Sequence, residues 1–166
     1  MLEQIICYMD HNLKLKQTID TLFGAGVSKL LPKGVELKKS KKTGRIRSVY
    51  DKEQLLLTPR SDGGLAITVH CAKLFLKSKK FQENCLHIDK ESKEFIENGK
   101  SVFCNHVVSC GKNIKIGSDV PVLYKNQVIG VGKSILSSKM IISQNRGVAV
   151  KLSLIHISEP TRPERI

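Results

Sequence analysis

The sequence predicts an α+β chain in two parts. The N-terminal half should lay helices on an antiparallel sheet, and the C-terminal half should form a small all-β barrel or sandwich. Three observations carry this prediction. Apolar residues between Glu3 and Leu31 recur every three or four positions, which suits helices. After Val35, short apolar runs alternate with Gly, Asn and Asp turn chemistry, which suits hairpins. From Gly99 to Lys151 the runs follow one another closely, as in small closed β structures.

Taken in order, Ile5, Ile6, Met9, Leu13, Ile19, Leu22, Phe23, Val27, Leu30 and Leu31 trace one or two amphipathic helices. Gly24-Ala25-Gly26 forms a break between them, and Pro32-Lys33-Gly34 closes the helical part. A strand starts at Val35-Glu36-Leu37, and the polar run Lys38 to Gly44 returns as Arg45-Ile46-Arg47-Ser48-Val49-Tyr50. Strict alternation there puts Arg45 and Arg47 on one face and Ile46 on the other. Asp51-Lys52 turns into Gln54–Thr58, and Ser61-Asp62-Gly63-Gly64 turns into a strand at Leu65–Val69. Ala72–Leu76 has helical character, and Lys77–Glu83 reads as a polar hinge.

Beyond the hinge, a helix over Glu91–Asn98 ends at Gly99, a natural glycine for the left-handed position after a helix. Val102-Phe103, Val107-Val108, Val120–Tyr124, Val128–Gly132 and Gly147–Lys151 are the strands, with a helical stretch at Ser137–Ile142. Phe95, Ile96, Val102 and Phe103 fit the apolar faces of their elements and are expected in the core.

The net charge of +13 and pI near 9.7 suit a polyanionic partner. No apolar run approaches the ~20 residues of a membrane span, and no leader pattern opens the chain, so a cytoplasmic protein with no membrane partner is expected. From Leu152 to Arg162 the chain reads as the translation of a transposase adaptor used in sequencing libraries. Residues 152–166 are therefore expected to be a non-native tail. Leu152 to Leu154 can still extend the last strand, because alternation is all that a strand needs.

The five cysteines, Cys7, Cys71, Cys85, Cys104 and Cys110, include no C-x-x-C pair, so free thiols are expected. Cys104 and His106, two apart on an expected strand, form half of a conceivable metal site whose other half is missing. Nucleophile elbow, zinc-protease helix, phosphate loop and dinucleotide motifs are all absent from the sequence. No catalytic residue, metal or cofactor is expected.

The order GKSVF (99–103), VPVLY (120–124), VIGVGKSIL (128–136) and RGVAVK (146–151) resembles a PUA domain, an RNA-binding pseudobarrel. The first half resembles the domain that precedes PUA in the archaeal tRNA-guanine transglycosylase and archaeosine synthase family. That likeness lies in Thr43-Gly44-Arg45-Ile46-Arg47, Leu57–Gly63, Ala72-Lys73-Leu74 and Leu22–Gly26. The resemblance implies a pre-PUA α+β domain over 1–80, with helices on an antiparallel sheet, and a PUA-type β pseudobarrel over 84–151. In that family the catalytic barrel lies upstream and these domains grip tRNA, with PUA on the acceptor stem and 3′ end.

From Lys29 to Arg47, eight basic residues face one acid, Glu36, and hold over half of the net charge. Lys38, Lys39, Lys41, Lys42, Arg45 and Arg47 are the candidate phosphate contacts there, because clustered cations release counterions from nucleic acid. The resemblance adds Gly99, Lys100 and Ser101, with Arg146 from the other side. Aromatic residues are few, so shape and backbone reading of structured RNA fits better than a stacking platform.

The leading reading is a non-catalytic tRNA-binding protein, free-standing or acting as the detached subunit of an archaeosine-pathway enzyme with a separate catalytic subunit. The alternative is a C-terminal fragment of a tRNA-guanine transglycosylase or archaeosine synthase whose catalytic domain is missing. A third reading is a general RNA-binding factor that shares the architecture.

Overall fold

The structure is a computed structural model, and it describes residues 10–153. Expectations for Cys7 and for the tail beyond Ser153 lie outside the described residues. Helix α1 (His11–Phe23) starts where the Asp10 side chain accepts a hydrogen bond from the Asn12 N–H at 2.9 Å, and it buries Leu15, Ile19 and Phe23. A short 3-10 turn over Val27–Leu30 follows the glycine break. Strands β1 (Glu36–Lys39), β2 (Ile46–Asp51), β3 (Gln54–Pro59) and β4 (Leu65–Ile67) form an antiparallel sheet in that order. Helix α2 (Val69–Phe75) and the single turn α3 (Lys79–Gln82) complete the first half.

Two expectations about where the elements lie fail in this half. The strand expected to reach Val69 stops at Ile67, because the Thr68 hydroxyl accepts from the Cys71 N–H at 3.2 Å and caps α2. The expected polar hinge is instead α3, which carries a fully buried Phe81. Its ring sits 5.6 Å from Phe23 and 5.4 Å from Phe75, both edge-on. Truncating a buried Phe costs about 3–5 kcal/mol, so this segment is part of the core.

The second half opens with β5 (Leu86–Ile88), which the periodicity reading missed, and α4 (Lys90–Glu97). Then come β6 (Val102–Phe103), a 3-10 turn (Cys104–His106), β7 (Val107–Cys110), β8 (Asp119–Tyr124), β9 (Gln127–Ser134), α5 (Ser138–Ser143) and β10 (Val148–Leu152). The sheet order β6-β10-β9-β8-β5-β7 begins and ends with strands joined by that 3-10 turn. One bent segment, Val102–Cys110, therefore nearly closes the sheet into a barrel. The Cys104 N–H donates to the Gly147 carbonyl, and the Asp89 N–H to that of His106. Leu152 ends β10 and is buried.

The β8–β9 hairpin turns through Lys125 and Asn126, both at positive φ, as a two-residue turn between twisted strands requires. It also serves two cores. Val120, Val122 and Ile129 face the barrel interior, while Leu123, Val128 and Val131 pack with α1, α2 and the first sheet. Buried on both faces, these strands read as continuous apolar runs in the sequence. Arg60 reinforces the seam by reaching Asp119 at 2.9 Å.

Candidate nucleic-acid interface

The first candidate surface is the β1–β2 hairpin. Lys38, Lys39, Lys41, Lys42, Arg45 and Arg47 are all exposed. None of them lies within 4.0 Å of a carboxylate among the described residues. The loop is held by the Ser40 N–H donating to the Arg45 carbonyl at 2.9 Å and the Gly44 N–H to that of Ser40 at 2.8 Å. This fixes Lys41 and Lys42 at its tip. Lys38 Nζ lies 4.3 Å from the centroid of the Tyr50 ring, which anchors its ammonium over the outer face of the sheet.

The strict alternation expected for Arg45–Tyr50 is corrected by a bulge. Lys38 pairs with Ser48 but Lys39 with Ile46, which leaves Arg47 as the extra residue. Ile46 and Val49, three apart, then both turn toward the core. The bulge twists this edge and projects Arg47 from it. Lysines on an edge strand also deter unwanted strand pairing, so Lys38 and Lys39 serve the fold as well as the charge.

The second surface surrounds the end of α4. The Gly99 N–H donates to the Ile96 carbonyl and the Lys100 N–H to that of Phe95, each at 2.9 Å, with Gly99 at φ 80°. This paired pattern ends the helix and leaves Lys100 exposed, with its Nζ 5.2 Å from the Phe95 centroid. Ser101 is half-buried and leads into β6. Val102 faces Val150 across the ladder, and Phe103 faces Val148. Arg146 is exposed next to Gly147, so it stands at the far end of this short pairing from Ser101, with Phe103 between them. At ~3.3 Å per residue the backbone span from Ser101 to Arg146 is on the order of 13 Å.

The expectation that Phe95 and Phe103 are core residues is overturned. They are 53% and 48% exposed, whereas Ile96 and Val102 are fully buried. The buried face of α4 is set by Ser92 and Ile96, one turn apart, and Phe95 lies about 100° round from it. The Asp89 cap, which fixes that phase, was the signal available in the sequence.

Cys104 and His106 do not share a strand face, because they lie in the 3-10 turn, where Cys104 is buried. His106 Nδ1 instead meets Asp89 Oδ2 at 2.8 Å, while Asp89 Oδ1 accepts from the Ser92 N–H and hydroxyl. Ligand atoms of Asp89, Glu91 and His106 lie within 4.8 Å of one another, but these hydrogen bonds already engage Asp89 and one ring nitrogen of His106. The cluster locks the closing turn to α4. Burial pushes the Cys85 thiol up to about 12 and the Cys110 thiol up to about 11, and it raises Cys71 further. At neutral pH these groups are thiols, which are poor nucleophiles and poor metal ligands.

A barrel closed by one bent strand, with a glycine-ended helix beside the closure, is the architecture of a PUA domain, and residues 85–155 match the PUA domain family. Residues 14–81 match the patch-forming domain C2 of tRNA-guanine transglycosylase. The chain carries these two domains in succession. The tRNA-guanine(15) transglycosylase of Methanobrevibacter smithii is 33% identical over 141 residues, which are 83% of this chain and 21% of the relative. That of Thermoplasma volcanium is 33% identical over 142 residues, 84% of this chain and 22% of the relative. The chain thus spans about a fifth of the length of the curated relatives it matches.

Among solved structures, a hypothetical protein of Pyrococcus horikoshii superposes with a TM-score of 0.68 at 20% identity, covering 86% of this chain and 88% of that one. A conserved PUA domain protein of Thermoplasma acidophilum gives 0.61 at 18% identity, covering 89% and 90%. These two share the fold over both halves. Among the described residues no helix is long and apolar enough to cross a membrane.

Proposed function

We propose that this chain is a non-catalytic RNA-binding protein whose partner is tRNA, gripped at the acceptor stem and 3′ end. It acts free-standing or as the RNA-holding subunit beside a separate catalytic one. The observation that carries this reading is an exposed six-cation hairpin, free of acidic partners among the described residues, packed through a shared core onto a PUA barrel. The matched transglycosylases hold both domains within one aligned stretch, which supports tRNA as the RNA in question. The hairpin supplies sequence-independent phosphate attraction, and the Gly99–Ser101 turn lets the backbone approach the RNA closely while Lys100 supplies a charged donor.

A second reading is favoured by the short span of the match: the chain is the tRNA-gripping part of a longer transglycosylase or archaeosine synthase. Both readings place the RNA on the same surfaces. Filter binding of tRNA and of duplex DNA with equal phosphate count, over a salt series, tests the common claim. Tighter binding of tRNA at every salt concentration is expected. Equal affinity would reduce the protein to a general polyanion binder.

A further inference from the structure

The seam between the two halves opens into two clefts with different charge. One, of about 490 Å³, contains Lys115, Arg60, Asp62 and Asp119, and its Arg60 pairs with both carboxylates. The other, of about 430 Å³, gathers Lys73 of α2, Lys77 just beyond it, Gln82 of α3, His87 of β5 and Asn126 of the β8–β9 turn. Leu76 and Leu123 complete its wall. No carboxylate lines this second cleft, and neither lysine pairs with one within 4.0 Å among the described residues.

We propose that the second cleft seats a backbone phosphate of the bound RNA, so that the RNA track crosses from the C2 domain to the PUA barrel at this point. The inference rests on the RNA-binding reading above. Two ammonium groups, an imidazole and the Asn126 carboxamide form a donor-rich site for a phosphodiester. The Gln82 amide donates to the Leu76 carbonyl at 3.0 Å, which leaves its side-chain oxygen to accept, as a neighbouring ribose hydroxyl requires. No Phe, Tyr or Trp lines the cleft, and one small imidazole is a poor stacking platform for the base of a free nucleotide. A backbone phosphate needs no such platform. Because α2 and α3 supply one wall and β5 with the β8–β9 turn the other, a phosphate held here ties both domains to one RNA.

Burial lowers the pKa of His87, so its ring is neutral at pH 7. A phosphate beside it favours the imidazolium, which turns His87 into a reporter. The test uses the full chain, its Lys73→Gln/Lys77→Gln variant, and Lys14→Gln/Lys16→Gln on exposed α1 positions as a charge-matched control. Affinity for tRNA should fall about tenfold in the seam variant, and the log–log salt slope should drop by about one, as the loss of one phosphate contact requires. The control should move far less. In NMR titrations the protonation midpoint of His87 should rise when a short RNA hairpin is added to the wild-type chain, and rise less in the seam variant.

Equal losses in the two variants, or an unchanged slope, would overturn the proposal in favour of overall charge. A His87 shift with inorganic phosphate but none with RNA would also overturn it, in favour of a free-phosphate site. If the wild-type chain binds no tRNA, the RNA-binding reading fails first and this one with it. If the wild type binds and the seam variant matches it, only the seam site fails.

Discussion

Arg60 holds Asp119 across the seam between the two domains, with Nη1 donating to Oδ1 at 2.9 Å and Nη2 to the Gly117 carbonyl at 3.3 Å. The side chains are only 24% and 10% exposed. Removing one partner leaves the other charge in a partly dry cleft. Arg60→Ala is therefore expected to lower the unfolding free energy by about 3 kcal/mol, and Asp119→Ala by less, because Asp62 still pairs with Arg60, with the double variant costing less than their sum. Gly64→Ala supplies a second probe, since a Cβ there would run into the Arg60 guanidinium. Its cost should be smaller and should vanish in the Arg60→Ala background. Urea melts check all five. Losses near zero would mean that Leu123, Val128 and Val131 hold the seam unaided.

The same pair has a pH signature. Burial pushes the Asp119 carboxyl up to about 6, against the pull of Arg60 and Lys133. The unfolded carboxyl ionises near 4, so between about pH 4 and 6 the folded chain keeps a proton that the unfolded chain has lost. Stability from this group is full below that window, declines as pH rises through it, and is flat above. Asp20 and Asp89 run the other way. Burial opposes their ionisation, but hydrogen bonds from Ser28 at Asp20, and from His106 and Ser92 at Asp89, outweigh it and hold both carboxyls low. Their contribution is present at neutral pH and lost in acid. Asp119→Asn should therefore compare better with the wild type at pH 7 than at pH 4.5, by about 2 kcal/mol in thermal melts. A difference that stays constant with pH would show that Asp119 is ionised throughout.

The β1–β2 hairpin exposes six cations. Replacing Lys39, Lys41, Lys42, Arg45 and Arg47 together with Ala should weaken tRNA binding and flatten the salt slope by nearly one unit per lost phosphate contact. Stability should change little, because none of the five is buried. Filter binding across a salt series measures the slope. An unchanged slope would move the RNA surface away from this hairpin.

What the sequence revealed, and what it hid, follows from the range of each interaction. Gly99 announced the end of α4, and the Lys125-Asn126 turn stood between apolar runs, because caps and turns are local. Phe81 was hidden. Flanked by Lys79, Lys80 and Gln82 it reads as solvated, yet its partner Phe23 comes from the far end of the same half. Arg60 and Asp119 are 59 residues apart, and no local pattern links them. The candidate hairpin was legible because charge density survives without register. Its bulge, which sets where Arg47 points, depends on the pairing of two strands and was not legible. The exposure of Phe103 was missed for a related reason, since an apolar residue on a two-residue strand gives no sign of which face is covered. That of Phe95 could have been read from the Asp89 cap, which sets the phase of α4.

At the PUA turn, Gly99 and Lys100 can be separated by experiment. Gly99→Ala places a Cβ at φ 80°, where L-residues pay roughly 1–2 kcal/mol, so the melt should shift downward. Lys100→Ala with Arg146→Ala should leave the melt in place, because both side chains are exposed, and should reduce tRNA affinity by several fold. The stability loss of the first variant and the affinity loss of the second are expected to be independent. Full affinity in the Lys100/Arg146 variant would remove this turn from the interface.

The isolated chain should exchange no base in tRNA. A transglycosylase needs a nucleophile able to attack the ribose and an acid to release the base. Among the described residues the thiols with large upward shifts, Cys71, Cys85 and Cys110, are held protonated by burial. The His106–Asp89 pair is spent on closing the barrel, and the nearby Ser92 hydroxyl donates to Asp89 rather than to the imidazole, so it gains no base. Asp119, the carboxyl that titrates near neutrality, is clamped by Arg60 at the seam, away from the hairpin and the Gly99 turn. Incubating the chain with tRNA and labelled guanine, or with a deazapurine precursor, should therefore give no incorporation. Adding a separate catalytic barrel should restore exchange if the chain acts as a subunit. Turnover by the chain alone would sink the binding-module reading, because it would require a reacting group that none of these contacts supplies.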